Sequence, residues 1–423
     1  MAVLDTAPLA AHTGASVVVE RCQVCDHAPL SQVLFLGYLP PVNQMRTIGQ
    51  LPREQPAYPA LVLSCPRCSL VQLGLIVDKE ILFPPDYPYT SGTTKILRDN
   101  FAELYEESQT IVSMGPQDLA VDIGLNDGTL LGNFQRGGHR VQGIEPSQVG
   151  NLANQRGIPT TIGFFGRALA EQTRKQHGPA KIVTATNVFA HIEHIHEIVE
   201  SILLLMDENG VFVSESHYLL ALVEMLQYDT IYHEHLRHYS LQSLQYLLQM
   251  HGLEVIHARR IPTHGGSIRV YAARAGAYPV RPSVGEILMN EAAAGLDAEH
   301  LRTFKDRVVQ SKLELYGLLR DIKRHGHRVY GIGAPSRAST LINYVGLDDG
   351  ILDCVLEIAG SLKIGKYMPG TLIPVMEESR LYKDQPEYVL LLSWHIADEL
   401  IPKLRQKGYK GKYICPLPTP EIV

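Results

Sequence analysis

The 423-residue sequence predicts an α/β chain of three lobes, and three features point to it. Two C-x2-C pairs, Cys22/Cys25 and Cys65/Cys68, bracket an N-terminal segment. From Leu119 onward, apolar strand-like runs alternate with helical ones. A second strand–glycine loop–helix pattern, RVYGIGAPSRASTLINYVG, begins at Arg328. Such alternation is what parallel sheets covered by helices produce. The lobes are placed at 1–78, 79–276 and 277–423.

The cysteine pairs sit in turn-like settings, CQVCDHAPL and CPRCSL, where two thiolates can face one ion. Four sulfurs complete a tetrahedral zinc site with no position open to water, which makes the ion structural. The competing reading is four reduced structural thiols. Six cysteines are too few for a disulfide scaffold, and Cys354 and Cys415 stand alone in apolar runs as packing residues. Residues 37–60 are Pro-rich loop, with short strands expected at 59–63 and 70–76. A helix over 94–112 places Ile96, Leu97, Phe101, Leu104, Tyr105 and Ile111 on one face.

In the second lobe LAVDIG, RVQGIEP, KIVTATNVF and GVFVSESH are strands, with helices from 128 to 135 and around 194–206. A helix at 241–252 stops at Gly252, and EVIHARRIP and SIRVYAARA close the sheet. Residues 277–295 read as a connector. The third lobe opens on a helix at 297–324, with Leu301, Phe304, Val308, Val309, Leu313, Tyr316, Leu319 and Ile322 at helical spacing. The strands ILDCVLEI and YVLLLSW complete it.

The charge balance, 38 Lys and Arg against 44 Asp and Glu, argues against bulk binding of nucleic acid or anionic membrane. No apolar run approaches the roughly 20 residues of a membrane helix. The first twenty residues carry no Lys or Arg, so they lack a secretory start. A cytoplasmic protein with a small-molecule partner is expected, a monomer because three lobes can bury their own faces.

Asp122, Gly124, Asn126 and Asp127 lie in VDIGLNDGTLL, at the carboxyl end of the first strand of the middle lobe, the edge where such sheets bind ligands. The spacing is not G-x-G-x-x-G, which disfavours a dinucleotide. Glu145 ends the next strand, where a carboxylate accepts from a ribose diol. Loop and acid in this order fit S-adenosylmethionine, with Asn187 and His191 nearby after the fourth strand. His194 and His196 read as surface residues.

YDTIYHEHLRHYS, 228–240, is dense in proton-transfer groups. As an extended segment it would set Tyr232 and Glu234 opposite His233 and His235; as a tight loop, Tyr232, Glu234 and His235 can line one pocket. Imidazole is the natural base at neutral pH, and a carboxylate can orient it. A solvated loop and a metal site are the competing readings. Tyr87, Tyr89 and TSGTT form a hydroxyl-rich strip. In THGGSIRVY, Gly265 and Gly266 let a ligand approach, beside His264, Ser267 and Arg269. Gly333 and Arg337 in GIGAPSR suit a phosphate or pyrophosphate.

Together these motifs resemble the C-methyltransferases of deoxysugar biosynthesis, which add branch methyls to nucleotide-linked keto-sugars in antibiotic pathways. The resemblance runs through both cysteine pairs, YPYTSGTT, DIGLNDGTLL, YHEHLRHYS, HGGSIRVYA, GIGAPSRAS and KIGKYMPGT. It implies an N-terminal zinc-binding domain, a central class I methyltransferase Rossmann-like domain and a second, C-terminal Rossmann-like α/β domain that helps hold the sugar nucleotide. By the same likeness His235 matches the catalytic base, with Tyr232 and Glu234 beside it. Tyr89 and Tyr87 match a strip facing the sugar, His264 to Ser267 match a substrate loop, and Arg337 stands where Lys is usual. Leu125, Ile364 and His395 depart from the pattern and leave the substrate open.

The expected reaction is methylation of a carbon beside the ketone of a nucleotide-linked 4-keto-deoxysugar, a dTDP-sugar at C3. Alternatives are a non-sugar ketone, a coupled keto-reduction, and a zinc-containing binding module without activity.

Overall fold

The computed structural model describes residues 15–83, 92, 94–296 and 298–423. Tyr87 and Tyr89 lie outside the described residues. At the centre is a seven-stranded sheet in the order Leu253–Ile261, Ser267–Arg274, Met206–His217, Ala180–Thr186, Leu119–Ile123, Arg140–Glu145 and Thr160–Ile162. Neighbours from Met206–His217 to Thr160–Ile162 are parallel, and the first two strands close one edge antiparallel. Every residue of Leu119–Ile123 is buried, as a strand covered on both faces requires. The parallel strands end together, so Ile123, Glu145, Thr186 and His217 stand along one rim.

The stretch read as a connector contains a helix, Pro282–Ala294, seated on the central core through Val284 and Ile287. Its Glu291 carboxylate accepts the backbone N–H groups of Leu241 (2.5 Å) and Gln242 (3.0 Å), at the start of helix Leu241–Met250. Those N–H groups have no partner inside their own helix, which is why a buried carboxylate is stable there. Ser240 and Ser243 add a reciprocal capping box.

The C-terminal sheet runs Val375–Glu377, Cys354–Glu357, Val329–Ile332, Tyr388–Leu391, Lys412–Cys415 and Glu421–Ile422, parallel except for the last strand. Helix Ala298–Arg324 buries Leu301, Phe304, Val308, Leu315, Leu319 and Ile322. Val309, Leu313 and Tyr316, read onto that face, are exposed.

The N-terminal sheet has the order Arg237–His238, Val71–Leu73, Tyr58–Ser64, Ser31–Leu39. Its first strand is contributed by the YHEH segment of the middle lobe, Arg237 opposite Gln72 and His238 opposite Val71. The metal-bearing lobe is thereby stitched to the candidate catalytic loop. His196, expected at the surface, is half-buried: its Nε2 contacts the Val24 carbonyl and its Nδ1 contacts His251, both at 2.8 Å.

The four cysteine sulfurs lie within 4.8 Å of one another, with Cys22–Cys68 at 3.4 Å and Cys25–Cys65 at 3.5 Å. A Zn–S length of about 2.3 Å gives a tetrahedral S···S edge of about 3.8 Å, so the donor set fits zinc. Among the described residues no helix is long and apolar enough to cross a membrane. Cys65→Ser is expected to take zinc from about one ion per chain to near none and to lower the melting temperature by about 5 °C or more. Elemental analysis and calorimetry check this; an unchanged melt would mean that the sulfurs only pack.

Candidate active site

At the rim of the central sheet the first strand runs into a loop whose backbone turns left-handed at Gly124, Asn126 and Gly128. That curl returns the Asn126 N–H to the Glu145 carboxylate at 2.9 Å, while Ser147 binds the other oxygen through its N–H (3.0 Å) and hydroxyl (2.6 Å). Glu145 is thus fixed at the end of the second strand, with lone pairs to spare for a diol. Asp122 is buried beneath the loop, and its Oδ1 accepts from the Thr184 hydroxyl at 2.6 Å. Burial pushes its carboxyl up to about 8, and the nearby Glu145 and Glu215 carboxylates add to the rise. Among the described residues no partner is found for its second oxygen, a polar atom that a cationic ligand would satisfy. Asp127 is committed elsewhere: it accepts from Thr129, from the Gly92 N–H (3.0 Å), and pairs with Arg156. Asn187, also left-handed, donates its N–H to the Glu215 carbonyl at the end of the neighbouring strand.

The YHEH segment is a tight loop, closed by His235 N–H to the Tyr232 carbonyl at 2.9 Å. The three acid–base residues consequently point apart. His233 reaches the Pro59 carbonyl, Glu234 accepts from the Asn43 amide at 2.8 Å, and His235 faces the rim. The orienting group expected in Glu234 is the Thr230 carbonyl, 2.6 Å from His235 Nδ1. A carbonyl can only accept, so Nδ1 carries the hydrogen and Nε2 of the neutral ring holds the lone pair. Burial lowers His235 to about 4, against the bond to Thr230 and helped by nearby His264 and Arg337. The ring is therefore neutral near pH 7. Around it stand Tyr232 (ring centroids 4.1 Å apart), His217 (4.7 Å) and His191 (4.9 Å), with His264 5.4 Å from His217. His191 also stacks on Phe83.

The structure redirects several substrate-loop expectations. A Cβ on Gly265 would meet the Gln227 side chain at 2.6 Å, and one on Gly266 would meet Ala221 at 2.5 Å, so these glycines admit protein atoms rather than a ligand. Ser267 donates to the Thr263 carbonyl and is buried. Arg269 is fully buried and pairs with the equally buried Glu215 and with the partly exposed Glu107, 2.6 Å each. Removing one partner of such a pair costs about 3–5 kcal/mol, which assigns Arg269 to the scaffold. Gly333 has φ +81 and lies against Ser393. Arg337, expected at a diphosphate, is engaged by protein groups: Nε and Nη2 bind Asp229 at 2.8 Å each, and Nη1 the His264 carbonyl at 3.2 Å.

His217 was missed by the sequence reading, although its place at the carboxyl end of a central strand was a signal. Asp229, Asn43 and Trp394 had none; only the fold brings them to the site.

Known families match three consecutive stretches of this chain. Residues 22–83 match one described as a zinc binding domain, 116–258 a methyltransferase domain, and 262–418 a C-methyltransferase C-terminal domain. The C-methyltransferase NovU of Streptomyces niveus is 32% identical over 409 residues, 96% of this chain and 97% of that protein. The chain belongs to this C-methyltransferase family. It is an S-adenosylmethionine-dependent enzyme with a zinc-binding N-terminal domain, and its four-sulfur cluster is the donor set that a structural zinc ion calls for. Partial likenesses extend to solved structures. A methyltransferase from Anabaena variabilis is 13% identical, spanning 43% of this chain and 86% of that one, with a TM-score of 0.34. Magnesium protoporphyrin IX methyltransferase from Synechocystis is 15% identical over 42% and 83%, with a TM-score of 0.33.

A cation held by Asp122 favours its ionised form, so loading this C-methyltransferase with S-adenosylmethionine should release a proton from a carboxyl that sits near 8. The affinity is expected to rise about tenfold between pH 7 and 8.5, and Asp122→Asn to abolish that slope. Calorimetry in buffers of different ionisation enthalpy reads the proton; a flat affinity would place Asp122 outside the cofactor site.

Proposed function

We propose that this C-methyltransferase methylates the carbon beside the ketone of a nucleotide-linked 4-keto-deoxysugar, a dTDP-sugar at C3, with His235 as the base. The observation that carries the reading is the buried imidazole whose Nδ1–H is held by the Thr230 carbonyl. A carbon acid next to a carbonyl needs one well-placed base and a group to receive charge on oxygen. The C–H bond breaks, its proton goes to His235 Nε2, and the electron pair passes to the ketone oxygen as an enolate. Tyr232, whose ring lies against His235, and Tyr89 from the strip matched by resemblance donate to that oxygen. Glu234, anchored by Asn43, and His264 shape the sugar pocket. Bound between Asp122, Asn187, His191 and Glu145, S-adenosylmethionine supplies a methyl group already activated by its sulfonium.

The C-terminal lobe supplies the nucleotide end. Its first strand runs into GIGAPSR, where the Ala334 N–H is bound by Glu357 at 2.7 Å. Lys363 donates to the Ala334 carbonyl at 2.6 Å and has two further N–H groups for a diphosphate, the role expected of Arg337. On this reading the chain works as a cytoplasmic monomer, with the zinc lobe at 1–78, the methyl-donor lobe at 79–276 and the sugar-nucleotide lobe at 277–423.

Incubation with labelled S-adenosylmethionine and a panel of nucleotide keto-sugars, with the product located by NMR, tests the substrate. His235→Asn is expected to lower kcat by about 100-fold or more while cofactor affinity stays within about twofold. With S-adenosylmethionine saturating, kcat/KM for the keto-sugar in the wild type should hold down to about pH 5 and fall only near pH 4, because a base at about 4 stays unprotonated above it. An acid limb near 6.5, or full turnover by His235→Asn, would remove His235 from this role.

A further inference from the structure

We infer that Arg337 and Trp394 of the C-terminal lobe are positioning residues for the acid–base centre: they clamp Asp229, and through it the turn whose Thr230 carbonyl orients His235. Asp229 is fully buried and lies in the 3-10 turn Tyr228–Thr230. Its Oδ1 accepts from Arg337 Nη2, and its Oδ2 from Arg337 Nε and from Trp394 Nε1, all at 2.8 Å. The guanidinium also lies over the Trp394 ring, 4.8 Å from its centroid. A buried carboxylate with three charge-assisted or indole donors has little freedom left.

The same network takes in the two neighbouring segments of the pocket. Arg337 Nη2 reaches Gln227 Oε1 at 3.1 Å, Gln227 Nε2 donates to the Gly265 carbonyl at 2.6 Å, and Arg337 Nη1 holds the His264 carbonyl. Thr340, one helical turn beyond Arg337, donates to the Ile231 carbonyl. The turn is thus gripped on both sides of Thr230 by one helix of another lobe. His235 Nδ1 is the next bond in this chain, at 2.6 Å from Thr230 O. Without the clamp the carbonyl can swing, and the ring loses the one contact that keeps its hydrogen on Nδ1 and its lone pair on Nε2. The C-terminal lobe then completes the base as well as holding substrate. The kinetic part of this inference rests on His235 being the base; the structural part does not.

The test uses the full-length zinc-loaded protein with Asp229→Asn, Arg337→Gln and the double variant. Long-range 15N NMR of labelled histidines, with His235 identified by its disappearance in His235→Asn, reads the tautomer without substrate. The wild type should show His235 protonated on Nδ1, and each single variant should show a mixture of tautomers. With substrate, each single variant should lose about tenfold or more in kcat, with KM for the nucleotide sugar within about threefold. The double variant should be no worse than the poorer single one, because both break one clamp. Arg337→Lys, which keeps a cation against Asp229, should retain more activity than Arg337→Gln and carries the comparison if Asp229→Asn does not fold. An unchanged Nδ1–H tautomer in folded variants overturns the inference. So does a raised KM with unchanged kcat for Arg337→Gln alone, which would return Arg337 to the diphosphate. A wild type that transfers no methyl to any keto-sugar would count against the proposed substrate, while the tautomer measurement would still decide the clamp.

Discussion

On the proposed mechanism, everything depends on the hydrogen bond from His235 Nδ1 to the Thr230 carbonyl. An imidazole that removes hydrogen from carbon must be neutral, must keep its lone pair on the nitrogen facing the substrate, and must not turn. Burial secures the first condition and a carbonyl acceptor the second. The third requires the carbonyl itself to be immobile, and no single lobe provides that. The zinc lobe pairs with Arg237–His238 just downstream of His235, the central lobe binds the Leu236 N–H through the Ala190 carbonyl, and the C-terminal lobe holds Asp229 just upstream. The zinc lobe is thereby tied to the loop that carries His235.

The two Rossmann-like lobes repeat one local device. In each, the first strand ends in a loop whose backbone N–H is bound by a glutamate closing the second strand: Asn126 to Glu145 at 2.9 Å, and Ala334 to Glu357 at 2.7 Å. The bond fixes loop and acid relative to each other before any ligand arrives, so less freedom remains to be lost on binding. The central loop lacks the spacing of the dinucleotide fingerprint, while the C-terminal loop keeps its first two glycines, Gly331 and Gly333, and has Ser336 in place of the third.

Much of this could be read from the residues in order. The cysteine spacing, the strand Leu119–Ile123 that carries Asp122, the acid at Glu145 and the density of YHEH are local patterns, legible within a few positions. What escaped were contacts made across long separations. Asp229 lies 108 residues from Arg337 and 165 from Trp394, and an Asp in a loop carries no periodicity to reveal its partners. Thr230 acts through its carbonyl, a group every residue has. Gly265 and Gly266 are places of close approach, and the approaching atoms belong to Gln227 and Ala221. The helix Pro282–Ala294 was lost among loop-like residues because its buried Glu291 looks polar until its two backbone donors are known.

The most direct measurement of the central claim separates deprotonation from methyl transfer. With S-adenosylhomocysteine in place of the donor and the keto-sugar dissolved in D2O, the wild type should exchange the hydrogen beside the ketone for deuterium, followed by NMR, and His235→Asn should exchange no faster than solvent alone. Equal exchange by the two proteins would show that the proton leaves by another route, and that the buried imidazole is not the base.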